Sequence, residues 1–232
     1  MPESRSSGEF KGSLNIVPNT SEDVKGGDPV NYNENGECIF GYGFHTTRGR
    51  RPANEDRMAV TPCMDGNSSI NFYGVFDGHQ GDRAAELCSK ELPRQILLGV
   101  RAKGGSMSEL DALDLFADAY KAVDAQLPDM DDGTSACAAL VCKETLFVGS
   151  VGDSQAVLCR LNTPVILNQP HKMTDPREKK RIEAKGGSIQ IVDGVERVNG
   201  VLNMSRALGN HKFRQYGVIS EPSVTSRSLS KV

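Results

Sequence analysis

Apolar residues are scattered up to about Asn35 and become regular from Cys38 onward. Residues 1–35 are rich in Ser, Gly, Pro, Asn and charge and show no apolar period, which predicts a mobile arm. A single folded domain is expected over residues 36–232. Ile39–Thr46 places aromatics at alternate positions (Phe40, Tyr42, Phe44), the pattern of a strand. Ile70–Phe76 is a mostly apolar run that stops at Asp77-Gly78, and Ser135–Cys142 is apolar nearly throughout, as in a strand buried on both faces. Leu146–Val151 and Gln155–Leu161 flank Gly152-Asp153-Ser154, which predicts a tight hairpin turn. Ser188–Val192 and Val195–Val198 flank Asp193-Gly194, a strong hairpin signal.

Three segments carry helical spacing. One starts near Asp82 with Ala84, Leu87 and Cys88 in phase, and Pro93 is expected to kink or end it. A second runs from about Ser108 to Gln126 with Leu113, Phe116, Tyr120, Val123 and Leu127 on one stripe and Ser108 as N-cap, with Asp111 beside it. The third starts at Asp175-Pro176, with Pro at the first helical position, and stops at Gly186-Gly187. Strands joined by short turns, with helices between groups of them, point to an α+β fold of antiparallel sheets with helices outside.

Composition narrows the function. Lys plus Arg is 27 against 30 for Asp plus Glu, a net charge of -3 that argues against nucleic acid as a partner. The short basic run Arg177–Arg181 falls on the third helix and reads as a solvated face. Six cysteines lie apart with no C-x-x-C pair, so neither a zinc site nor a disulfide framework is indicated. No signal-peptide pattern and no membrane-spanning run is present. The expectation is a reduced, intracellular protein of the cytoplasm or nucleus, with no membrane partner.

Asp-Gly occurs four times, and a turn explains three of them. Asp77 differs because it ends an apolar strand, where a carboxylate is costly unless it is paired or holds a cation. His79, two residues on, could supply a proton. Taken alone, Asp77-Gly78-His79 fits a metal site and a plain turn equally well. Glu55-Asp56, before the probable strand at Arg57, reads alone as a surface pair, Asp153 as part of a turn, and Arg51 as an ordinary cation. Together they form a set: carboxylates at strand ends suit Mg2+ or Mn2+. Arg51 could hold phosphoryl oxygens and His79 could protonate a leaving alkoxide.

Five ordered segments sharpen this reading: R-R-P-A-N-E-D (Arg50–Asp56), F-Y-G-V-F-D-G-H-Q-G (Phe72–Gly81), D-G-T-S-A-C-A-A-L (Asp132–Leu140), V-G-D-S-Q-A-V-L (Val151–Leu158) and R-V-N-G-V-L-N-M-S-R-A-L-G-N (Arg197–Asn210). With these the chain resembles the metal-dependent serine/threonine protein phosphatases of the protein phosphatase 2C family. The resemblance implies a sandwich of two antiparallel sheets with helices outside and a two-metal site at one end. It also implies a monomer acting on phosphoproteins. By position, Arg51 resembles the phosphate-binding Arg, Glu55 a ligand of one metal, and Asp56 an acid that reaches the metal through water. Asp77 resembles the carboxylate bridging both ions, Gly78 a carbonyl ligand, His79 the general acid, and Asp153 an acid near an extra, weaker metal position. Arg206 resembles a structural Arg.

Three departures accompany the match. Gln80 stands where the family usually has Gly, and Asn210 where it often has Asp. The family's later strand ending in Asp-Gly and its Asp-Asn pair, which complete one of the two metal sites, do not occur before Val232. The expectation is therefore a domain lacking its last strands and helices, with an exposed sheet edge and weak or no activity by itself. A binding or regulatory protein of the same fold is the alternative. A phosphohydrolase with an aspartyl nucleophile fits poorly, because Asp77 has no second acid two residues on.

Overall fold

The computed structural model describes residues 42–67, 69–105, 107–128 and 131–229, together with the strands Asn15–Ile16, Val24–Gly26, Asn31–Tyr32 and Cys38–Phe40. The expected arm over residues 1–35 falls largely on residues outside this set.

A six-stranded sheet organises the molecule. Its order is Asn15–Ile16, Arg57–Thr61, Ile70–Phe76, Ala136–Cys142, Thr145–Val151 and Ser223–Ser228, and every neighbouring pair is antiparallel. Helices α1 (Arg83–Ala102) and α2 (Glu109–Asp124) pack on one face. Phe72, Phe76, Ala138, Leu140 and Phe147 point toward them, and Cys137 and Val148 toward the opposite face, the period-two alternation of a strand. The hairpin Val157–Arg160/Thr163–Ile166 lies on that opposite face, where Leu158 and Val165 pack with Val148 and Leu167. The class is the expected one, α+β with antiparallel sheets and external helices.

A smaller core joins helix α3 (Pro176–Ala184) to the hairpin Ile189–Val192/Val195–Val198, with Met173, Ile182, Leu202, Met204, Phe213 and Val218 inside it. The Asp193-Gly194 turn has both residues at positive φ, 52° and 77°, as a two-residue hairpin requires.

Several elements depart from expectation. Pro93 lies buried inside α1 and does not end it. A proline costs the helix one hydrogen bond, but Leu92, Ile96, Leu97 and Val100 are all buried and hold the remaining turns on the sheet. Helix α2 has the expected cap, with Ser108 and Asp111 forming a reciprocal capping box. Its buried stripe runs through Ala112, Leu115, Phe116, Ala119, Tyr120 and Val123, and Leu113 is exposed. Ile39–Thr46 forms two short strands, Cys38–Phe40 and Phe44–Thr46, which pair with different partners. Gly152–Ser154 is not a hairpin turn, because Val157–Arg160 pairs forward with Thr163–Ile166 through Leu161-Asn162 at φ 47° and 63°. On α3 the basic run splits: Arg177 is 88% exposed, whereas Arg181 turns inward to Glu178.

Among the described residues no helix is long and apolar enough to cross a membrane. Cys63, Cys88, Cys137, Cys142 and Cys159 are free thiols.

Candidate active site

Strand register brings the candidate residues to one end of the sheet. Arg57 pairs with Phe76, so the acids before Arg57 and Asp77 after Phe76 leave the sheet together. Ala136 pairs with Val151 and Cys137 with Val75, which brings Gly152-Asp153 and Ser135 to the same end. Ser135 N–H then donates to the Asp77 carbonyl at 3.0 Å. Beyond this edge a three-stranded ribbon of Gly78–His79, Gly133–Thr134 and Leu208–Gly209 sets His79 opposite Gly133 and Gly133 opposite Gly209.

The Asp77 loop is tied to the Glu55 turn. Gly81 N–H donates to Glu55 Oε1 at 2.7 Å, and a Cβ on Gly78 would lie 2.4 Å from the Glu55 carbonyl oxygen. Gly78 is therefore needed for close backbone approach. Gln80 keeps a left-handed φ of 60°, so the turn retains the conformation that favours glycine although a side chain is present. Asn54 is buried and accepts from the Asp56 N–H at 3.1 Å. Buried Arg57 donates to the Asp56 carbonyl at 2.9 Å and to Asp82 at 2.7 Å, which braces the turn from behind.

Arg51, Glu55, Asp56, Asp77, Gly78, His79 and Asp153 all line one open cleft of about 490 Å³. Arg197 and Leu202–Met204 of the smaller core form a facing wall. Partial desolvation, with Asp56 and Asp153 nearby, raises the Asp77 carboxyl above its usual range. Asp56 is raised too, chiefly by desolvation and with a contribution from Glu55, against the pull of Arg57. Partly desolvated acids converging on one cleft are what a cation would relieve. The donors are oxygen only, as Mg2+ and Mn2+ prefer. Among the described residues no group of three or more His, Cys, Asp or Glu side chains is arranged to hold a metal ion. An open arrangement also suits Mg2+, which keeps several waters and uses one or two carboxylates.

Two neighbours were not legible in the sequence. Lys172 Nζ lies 3.2 Å from Asp153 Oδ2, so this acid already has a cation beside it. Asn210, noted only as a missing acid, places Oδ1 2.6 Å from His79 Nε2.

A family model for protein phosphatase 2C matches residues 40–232. The chain belongs to the protein phosphatase 2C family. Among curated relatives, probable protein phosphatase 2C 55 of Oryza sativa subsp. japonica is 34% identical over 207 residues, covering 88% of this chain and 53% of that protein. Probable protein phosphatase 2C 59 of Arabidopsis thaliana is 33% identical over 230 residues, covering 94% and 70%. The chain spans about half the length of several such relatives. The fold also resembles a serine-threonine phosphatase 2C from Toxoplasma gondii, with TM-score 0.71 and 22% identity over 93% of this chain and 77% of that one. A C. elegans sex determining protein gives 0.69 and 21% over 96% and 50%.

Proposed function

We propose that this protein hydrolyses phosphoserine and phosphothreonine in proteins, using Mg2+ or Mn2+ held at the Asp77 end of the sheet. The observation that carries this reading is the convergence of four acids, Arg51 and His79 on one cleft, with the carboxyls of Asp56 and Asp77 raised chiefly by burial. Glu55, Asp77 and the Gly78 carbonyl would hold one cation. Asp77 would be shared with a second, Asp56 would act through water, and Asp153 would border a weaker position. Such ions lower the pKa of a bound water and offset charge on a phosphate ester.

The remaining work falls to the chain's own groups. Arg51 presents a planar fork to two phosphoryl oxygens and fixes the phosphate in the cleft. His79 supplies the proton that the departing serine or threonine oxygen requires.

Phosphate release from a phosphothreonine peptide in Mn2+ tests the reading on the chain itself, on His79→Ala and on Arg51→Ala. The expected result is weak Mn2+-dependent turnover that EDTA removes and that falls about 10²–10⁴-fold in His79→Ala. Turnover that does not depend on Mn2+, or turnover unchanged in His79→Ala, would count against it.

A further inference from the structure

We infer that Asn210 is a positioning residue for His79, fixing the orientation of its imidazole and the nitrogen that carries its proton. The inference rests on the role of His79 proposed above, but its geometry stands independently. Asn210 is fully buried. Its Nδ2 donates to the Asp131 carbonyl at 2.8 Å, and its backbone N–H donates to the Asp132 carbonyl at 3.1 Å. A flipped amide would put two oxygens against each other at Asp131, so Oδ1 is the atom turned to His79. At 2.6 Å from Nε2, that oxygen can only accept. Nε2 therefore carries a hydrogen in the neutral ring and in the cation alike. Nδ1 is buried with no partner among the described residues.

The surroundings are shaped for this contact. Asn210 has φ 50°, a left-handed conformation that Asn tolerates better than most residues. A Cβ on Gly133 would lie 2.1 Å from Asn210 Oδ1, so the glycine paired with His79 leaves the room that the amide fills. The ribbon of three two-residue strands thus brings three distant segments to a single hydrogen bond. A neutral amide also differs from a carboxylate here, because it orients the ring without adding a negative charge beside the acids of the cleft.

The test is ring-nitrogen NMR of the 232-residue chain, which has four histidines and is assignable by single substitutions. In alkaline buffer, two-bond ¹H–¹⁵N correlations should show His79 as Nε2–H, with a ring proton slow enough in exchange to be seen. Asn210→Gly keeps the positive φ and deletes the amide, so exchange should become about tenfold or more faster, as expected for one lost buried hydrogen bond. Asn210→Asp still offers an acceptor and should keep the slow proton. Unchanged His171 signals report an intact fold. An Nδ1–H ring in the wild type, or an equally slow proton in Asn210→Gly, would overturn the inference. The spectrum is read without metal or substrate. A failed phosphatase assay would therefore leave this result standing, and the reverse also holds.

Discussion

Replacing Glu178 with Ala probes what holds the facing wall of the cleft. The Glu178 side chain is 4% exposed and accepts from Arg181 Nη2 at 2.6 Å, from Arg206 Nη2 at 2.7 Å and from Ser205 Oγ. Alanine would leave two guanidinium groups, 24% and 18% exposed, without their anion. Breaking a buried pair in this way costs about 3–5 kcal/mol. Arg181 keeps the Gly217 and Ser205 carbonyls, and Arg206 keeps the Glu221 carbonyl, so the lower end applies. For a domain of this size about 3 kcal/mol corresponds to roughly 6–12 °C in Tm.

The pH dependence has a definite sign. Burial opposes ionisation of Glu178, but hydrogen bonds from Arg181, Arg206 and Ser205 outweigh it and hold the carboxyl far below its ordinary 4.5. A carboxyl depressed on folding stabilises above its unfolded value and loses that contribution as pH falls. Thermal unfolding by circular dichroism should show the full difference at pH 7 and a smaller one near pH 3. Burial and Arg206 lower His171 to about 4 against the pull of Glu178, so both proteins should lose stability between the ordinary imidazole range and that value, the variant at least as much as the wild type. A Tm change under about 2 °C at pH 7 would refute the role given to Glu178. So would an equal difference at both pH values.

Two further changes have definite signs. Gly149→Ala would put a Cβ 2.1 Å from the Phe116 ring, and overpacking of about 1–3 kcal/mol should lower the urea midpoint; an unchanged or raised midpoint would refute it. Asp77 is raised on folding, so the metal-free chain should lose stability as pH rises through that raised value. Asp77→Asn should therefore raise Tm at pH 7 and not below the usual carboxylate range, and a lowered Tm at pH 7 would contradict this.

Much of the cleft was legible because strand ends are visible in one dimension. Asp77 follows an apolar run, and the acids at Glu55 and Asp56 precede one. Antiparallel pairing of those runs brings them together. What was not legible depended on partner choice. Gly152–Ser154 has turn residues on both sides of a strand break, yet Val151 pairs with Ala136 and Val157 with Ile166. The true hairpin turn, Leu161-Asn162, carries no glycine. Leu113 has the right hydrophobicity but sits off the α2 stripe, and Leu115 takes that place. Asn210 looked like the loss of an acid. Its contact with His79 depends on a left-handed φ and on the missing side chain of Gly133, neither of which a linear pattern displays.

Titration calorimetry of Mn2+ into the metal-free chain and into Asp77→Asn tests most directly whether this sheet end is a cation site. Saturable binding is expected in the wild type, with a raised Tm of about 2.7 kcal/mol equivalent at 100 times the Kd, and both should vanish in Asp77→Asn. No binding to the wild type, or binding of equal strength in Asp77→Asn, would contradict the assignment of Asp77 as the centre of the site.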